Sequence, residues 1–143
     1  MSPWAAAAVL LGVVLLATGL GVLQRRRDGR ARAGSGRRVA PADVGAAAPF
    51  GDRATLVQFS TPACARCPGT ARLLREVAAQ HPGVVHLEVD LARHPDVADR
   101  FGVVQTPTTL LVDADRRLRA RIGGAPRPAD LDRELVAVLG GTP

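Results

Sequence analysis

The sequence predicts an α/β fold, a mixed β-sheet flanked by helices and preceded by one N-terminal transmembrane helix. Three observations predict it. Residues 4–23 run for twenty positions without a charge. From residue 54 onward, strand-forming runs and stretches of helical spacing follow one another as β-α-β-α-β-β-α, which implies a mixed sheet with helices on both faces. Finally, Cys64-Ala65-Arg66-Cys67 stands where the first strand gives way to the first helix.

The stretch from Trp4 to Leu23 is rich in Ala, Val and Leu. As a helix it rises ~30 Å, the thickness of a hydrocarbon core. Trp4 falls at one end, where an indole suits the headgroup layer. A cleaved secretory signal would carry positive charge before a shorter apolar run and small residues at a cut site behind it. Here Arg25, Arg26, Arg27, Arg30 and Arg32 follow the run, and Ala31-Arg32-Ala33, which has cleavage-site spacing, lies behind the first of them. An uncleaved single-span anchor fits better, and twenty apolar residues with no polar face do not suit a buried soluble helix. Basic residues beside a span stay in the cytoplasm. The expected placement is therefore the cell membrane with the domain on the cytoplasmic side; the extracytoplasmic face is the alternative. Residues 25–40 are Arg-, Gly- and Ala-rich with no apolar period and read as a juxtamembrane tether. The chain thus divides into an anchor (1–24), a linker (25–40) and a folded domain (41–143).

Within the domain, Pro41 to Val44 can open a short helix, and Gly51-Asp52 is a turn into the central strand, Thr55 to Phe59. Ser60 to Ala63 is a turn. Apolar residues then recur at Ala71, Leu74, Val77 and Ala78, which is helical spacing. His81-Pro82-Gly83 stops that helix, and Val84 to Val89 forms a second strand ending at Asp90. Pro95 to Phe101 is a short helix, with Pro95 suited to its first turn and Gly102 to its end. Thr108 to Val112 is a third strand, Asp113 to Arg116 a hairpin turn and Leu118 to Ile122 a fourth strand. The last helix, Pro128 to Leu139, sets Leu131, Leu135, Val138 and Leu139 on one side. Arg116, Arg117, Arg119 and Arg121 read as the wet face of the hairpin.

The net charge is +6. Residues 25–48 hold seven Arg against Asp28 and Asp43, whereas residues 49–143 hold twelve Arg against eleven acids. The basicity is a local patch beside the span, suited to anionic headgroups. A nucleic-acid site would need a basic face on the domain itself with aromatics for stacking. Three Phe, one Trp and no Tyr do not supply it, so no nucleic-acid partner is expected.

Two cysteines at a strand-to-helix junction read as redox chemistry rather than as a staple. At a helix start the unpaired N–H groups and the macrodipole favour a negative charge, here a thiolate on Cys64. Arg66 adds positive charge close by, which lowers a thiol pKa. An inert structural disulfide is a poor account, because so short a loop constrains the unfolded chain little.

This succession, with Cys64-Ala65-Arg66-Cys67 after the first strand and Thr106-Pro107 before the third, resembles the thioredoxin family over roughly Ala54 to Leu139. Cys67 to Pro107 spans 40 residues, close to a plain thioredoxin. The resemblance implies a thioredoxin-like fold in which Thr106-Pro107 is cis, lies against Cys64 and offers backbone groups to a bound peptide; a cis X–Pro bond costs little. The chain departs from the family pattern in four places. Ala63 stands where a Trp usually precedes the first Cys, and Ala65-Arg66 replaces Gly-Pro. Gln58 occupies the place of a buried acid, and His86 that of a Lys on the adjacent strand. Gln58 can orient a water or a thiol but cannot act as a general base. His86 reads as a solvent-facing strand residue, with an imidazole near the thiols as the other option.

The expected activity is thiol–disulfide exchange with protein thiols and disulfides, supplied by an upstream electron donor or acceptor. Cys64 attacks and Cys67, one helical turn below, resolves. No cofactor beyond that pair and no metal is expected. A cytosolic domain favours the reductase direction. Two other classes compete. One is a non-catalytic adaptor on the same fold, favoured by the missing acid. The other is a zinc module on Cys64, Cys67, His81 and His86, disfavoured because Pro82-Gly83 breaks the helix such histidines share.

Overall fold

The computed structural model describes residues 2–141. Helix α1 (Pro3–Arg27) opens with Ser2 as N-cap, its hydroxyl accepting the Ala5 N–H. The helix is long and apolar enough to cross a membrane, and none of its side chains is buried against the rest of the protein. It ends four residues beyond the apolar run, with Arg25, Arg26 and Arg27 in the last turn, where cations complement the exposed carbonyls.

Then come β1 (Ala31–Ala33), a 3₁₀ turn (Pro41–Val44), β2 (Ala54–Ser60), α2 (Cys67–Gln80), β3 (Val84–Asp90) and α3 (Pro95–Phe101). The chain closes with β4 (Thr108–Asp113), β5 (Leu118–Gly123) and α4 (Pro128–Gly140). The sheet order is β1-β5-β4-β2-β3, with β2 and β3 parallel and every other pair antiparallel. All seven residues of β2 are buried.

Alternation along the strands feeds two cores. On one face Val57, Phe59, Val89 and Leu110 pack with Val97 and Phe101 of α3 and with Val39 and Val44. On the other, Ala54, Leu56, Leu111 and Ile122 pack with Leu74 and Val77 of α2 and Leu131 and Leu135 of α4. This is the mixed sheet with helices on both faces that the sequence implies, built from the same strands and helices.

Three features differ from the sequence reading. The linker at 25–40 is not a free tether. Ala31, Arg32 and Ala33 pair with Ile122, Arg121 and Ala120, an isolated bridge joins Arg38 to Arg117, and Val39 is only 1% exposed. Without that segment β5 would present an unpaired edge. Ala-Arg-Ala is too short for its alternation to signify and alanine is a poor strand former, so nothing local marks the strand. Second, α2 begins at Cys67, with Arg66 as N-cap, three residues later than Cys64. Pro68 has no N–H to give and suits the first turn of a helix starting there. Third, Arg121 does not lie on a wet face: it is half-buried, donating to the Phe101 and Gly102 carbonyls at the end of α3. Such groups lack helical partners and take a guanidinium well.

The ordered linker yields a stability prediction. A fragment beginning at residue 41 should be less stable than one beginning at residue 28. The difference should be at least the about 1.5–3 kcal/mol that burying one valine side chain contributes. Urea midpoints of the two fragments measure it, and coincident midpoints would show that β1 and Val39 add nothing.

Candidate redox site

The site assembles at the carboxyl end of β2. Because β2 is central and enters parallel to β3, the chain leaving Ser60 must turn over the sheet's end before α2 can pack back on it. That turn carries the cysteines. Cys64 N–H donates to the Thr61 carbonyl at 3.1 Å and Cys67 N–H to the Cys64 carbonyl at 3.2 Å, winding the segment tightly into the helix start. Cys64 and Cys67 are joined in a disulfide with Cα atoms 5.4 Å apart. Cys64 is half-buried at the surface and Cys67 is 3% exposed, so a partner can reach only the first sulfur.

The Thr106–Pro107 peptide bond is cis. Pro107 is buried, Thr106 half-buried, and the Thr61 and Thr106 hydroxyls lie 3.4 Å apart, bridging the cysteine turn to the proline loop. The register places Phe59 beside Thr108, and the Gly124 N–H donates to the Pro107 carbonyl at 2.8 Å, fixing the loop to the end of β5. Arg66 is exposed at the mouth of α2 and makes no side-chain cap bond.

Behind the disulfide, Gln58 is fully buried. Its amide nitrogen donates to the Cys67 carbonyl at 3.0 Å, and its amide oxygen lies 3.0 Å from His86 Nε2. A carbonyl can only accept, which fixes the NH₂ towards Cys67 and leaves the amide oxygen as acceptor. His86 Nε2 must therefore carry a hydrogen. His86 is accordingly turned inward onto Gln58 rather than facing solvent, and Gln58 orients the backbone of Cys67 rather than a thiol. Burial holds the His86 imidazole below its usual range; Glu88 works against that shift and Arg75 adds to it. Two hydroxyls near this layer, on Thr70 and on Thr109 (paired with Gln58 across β2 and β4), are buried without a hydrogen-bond partner.

A groove of about 390 Å³ runs past the disulfide, lined by Thr61, Pro62, Cys64 and Cys67 on one side and Glu88 and Asp90 on the other. The sequence reading does not single out Glu88 or Asp90 for the site. Their signal is present all the same: they fall at even positions with His86, the strand face that meets Gln58. The groove is anionic along the β3 edge, and Arg66 stands outside it, beside a separate cavity with Gly69, Leu73 and Pro126.

The zinc alternative does not survive the geometry. His81 caps the far end of α2, about 20 Å along the helix from Cys67. Among the described residues, no three His, Cys, Asp or Glu side chains gather as a metal set.

Residues 47–136 match the family model described as Thioredoxin. The chain belongs to the thioredoxin family. It is 30% identical over 90 residues to a thioredoxin of Alicyclobacillus acidocaldarius subsp. acidocaldarius, covering 62% of this chain and 85% of that one. It is likewise 30% identical over 90 residues to an H-type thioredoxin of Oryza sativa subsp. indica, covering 63% and 72%. Among solved structures it resembles a mutant thioredoxin from Halobacterium salinarum NRC-1. The TM-score is 0.56 and the identity 19%, over 71% of this chain and 84% of that one, a likeness of fold. With its paired cysteines, this thioredoxin-like chain is a thiol–disulfide oxidoreductase.

The inward His86 gives a pH prediction. Its folded pKa lies below the unfolded value near 6.5, so the unfolded chain binds the proton more tightly. Stability should therefore fall as pH drops below about 6.5 towards the folded value, and be unaffected by this group above that range. Denaturant midpoints at pH 7.5 and 5.0 should differ less in His86→Asn than in the parent; an identical pH dependence in both would refute the assignment.

Proposed function

We propose that the chain is a membrane-tethered reductase of protein disulfides working through Cys64-Ala65-Arg66-Cys67. The observation that carries this reading is the asymmetry of the pair: one sulfur at the surface beside a groove, its partner buried at the first residue of a helix. In the reduced form, the Cys64 thiolate attacks one sulfur of a substrate disulfide. The S–S bond breaks, the mixed disulfide forms and the other substrate sulfur leaves as a thiolate that takes a proton. Cys67, deprotonated, then attacks Cys64 Sγ, releasing the second substrate thiol and leaving the Cys64–Cys67 disulfide. Two electrons pass to the substrate, and a donor dithiol restores the pair by the reverse sequence. Positive charge from Arg66 and the amino end of α2 favour the Cys64 thiolate. Thr106 and Pro107, joined to the cysteine turn through the Thr61 and Thr106 hydroxyls, offer backbone groups to the substrate segment. Gln58 and His86 hold the Cys67 backbone.

Residues 4–23 supply the tether in a single span, and the Arg-rich flank favours a cytoplasmic domain, where donor dithiols are plentiful. The adaptor reading retains one supporting observation: Gln58 replaces a titrating acid with an amide that cannot take the Cys67 proton.

Cys64→Ser should abolish reduction of an insulin-type disulfide, whereas Cys67→Ser should accumulate a covalent mixed disulfide with substrate, visible on a non-reducing gel. Full activity in Cys64→Ser would end the exchange reading, and an inactive parent chain would leave the adaptor. For topology, cells reduced with a permeant thiol should take up a membrane-impermeant maleimide at Cys64 only after permeabilisation. Labelling of intact cells would move the domain to the outer face.

A further inference from the structure

The junction between α1 and the sheet fixes more than a tether would. Only Asp28 separates the last residue of α1 from Gly29, which is buried and doubly held. The Gly29 N–H donates to the Gly123 carbonyl at 2.7 Å and its carbonyl accepts the Arg127 N–H at 3.1 Å. A side chain is not tolerated there: the backbone has φ +74, and a Cβ would run into the Ala125 carbonyl oxygen. The helix is thus bolted to one particular end of the sheet.

Strand register identifies that end. Gly123 pairs with Thr108, and Thr108 with Phe59, one residue from the end of β2. Gly123, Pro107 and the cysteine turn therefore share one rim, with β2 three strand spacings, about 14 Å, from β1. The opposite rim, at the hairpin turn following Asp113, lies about 20 Å away along the strands. Side chains agree with the backbone. Val104, 93% exposed in the loop leading to Thr106-Pro107, lines a cavity with Leu20 and Leu23, which belong to the last turns of the apolar run. Arg27, Arg30, Arg32 and Arg121 surround the adjoining cavity with Asp28 as the one acid, a charge pattern suited to the headgroup layer.

We propose that the redox rim faces the bilayer, and that the physiological partner is a cysteine pair of an integral membrane protein lying at the headgroup layer. This rests on the exchange chemistry and the membrane span of the preceding section. A globular soluble substrate would have to enter between the rim and the lipid surface. An extended juxtamembrane segment already lies at that height, and confinement to the same plane raises its effective concentration. The exchange itself is unchanged: two electrons pass between the Cys64–Cys67 pair and the partner's pair.

The test uses the full chain in phosphatidylcholine–phosphatidylglycerol vesicles. First, Val104→Cys and Ala114→Cys are each made in a Cys64→Ser/Cys67→Ser background and labelled with a fluorophore. Headgroup spin-labelled lipid should quench the label at 104 strongly and the one at 114 little. Equal quenching, or stronger quenching at 114, overturns the orientation, as does failure of the chain to stay with the vesicles. Second, the pre-reduced chain meets one disulfide peptide in two forms, free or joined by two residues to a transmembrane peptide in the same vesicles. In single turnover the tethered form should react at least about tenfold faster. Inserting twenty Gly/Ser residues between Arg27 and Asp28 should lower the tethered rate and leave the free-peptide rate unchanged. Reaction of both forms without preference, or a preference the insertion does not change, overturns the partner assignment alone. No reaction with either form overturns the exchange chemistry, and the partner assignment with it.

Discussion

Burial of β2 on both faces is the constraint from which the rest follows. Seven consecutive buried residues must lie between two strands and under helices on either side, because a buried backbone group without a partner is costly. β3 and β4 supply the flanking ladders, α2 and α4 cover one face, and α3 with the segment around Val39 and Val44 covers the other. The chain leaving β2 emerges at a rim with a helix obliged to return along the sheet. The cysteines occupy that turn. Their asymmetric exposure is a consequence of the turn's geometry: the first precedes the helix, and the second is its first residue, pressed against the sheet.

Gln58 shows how one substitution alters the chemistry without altering the architecture. An amide can donate and accept at once, so it joins the Cys67 carbonyl to His86 in a chain of neutral hydrogen bonds. An ionised carboxylate in the same place could accept from His86 but could not donate to the Cys67 carbonyl, and it could also take a proton. The amide confers order on the Cys67 backbone but no proton capacity. The proton of Cys67 must therefore leave by another route during resolution. The groove beside the sulfurs provides carboxylates at Glu88 and Asp90 along its wall.

The attachment of α1 carries a different consequence. A flexible linker would let the domain turn freely about α1, whereas Gly29, held between Gly123 and Arg127, couples the direction of the helix to one rim of the sheet. Orientation then becomes a property of the fold. Two arginines outside the juxtamembrane cluster take structural roles: Arg121 closes the end of α3, and Arg127 clasps the base of the helix, its guanidinium donating to the Arg26 carbonyl at 3.1 Å.

The sequence by itself determined the strands and helices whose signals are local, because runs of strand formers in β2 to β4, alternation along β5 and helical spacing in α2 and α4 are properties of neighbouring side chains. It also determined the placement of Cys64 and Cys67 at a strand-to-helix junction and of Thr106-Pro107 before a strand. Tertiary structure alone decided what depends on partners distant in the chain. Ala31 to Ala33 has no strand signature and pairs only because β5 offers an edge. His86 has the pattern of an exposed strand residue and turns inward only because Gln58, 28 positions away, presents an amide oxygen. Which rim of the sheet meets α1 rests on Gly29 and Gly123, two glycines whose meeting no local pattern encodes.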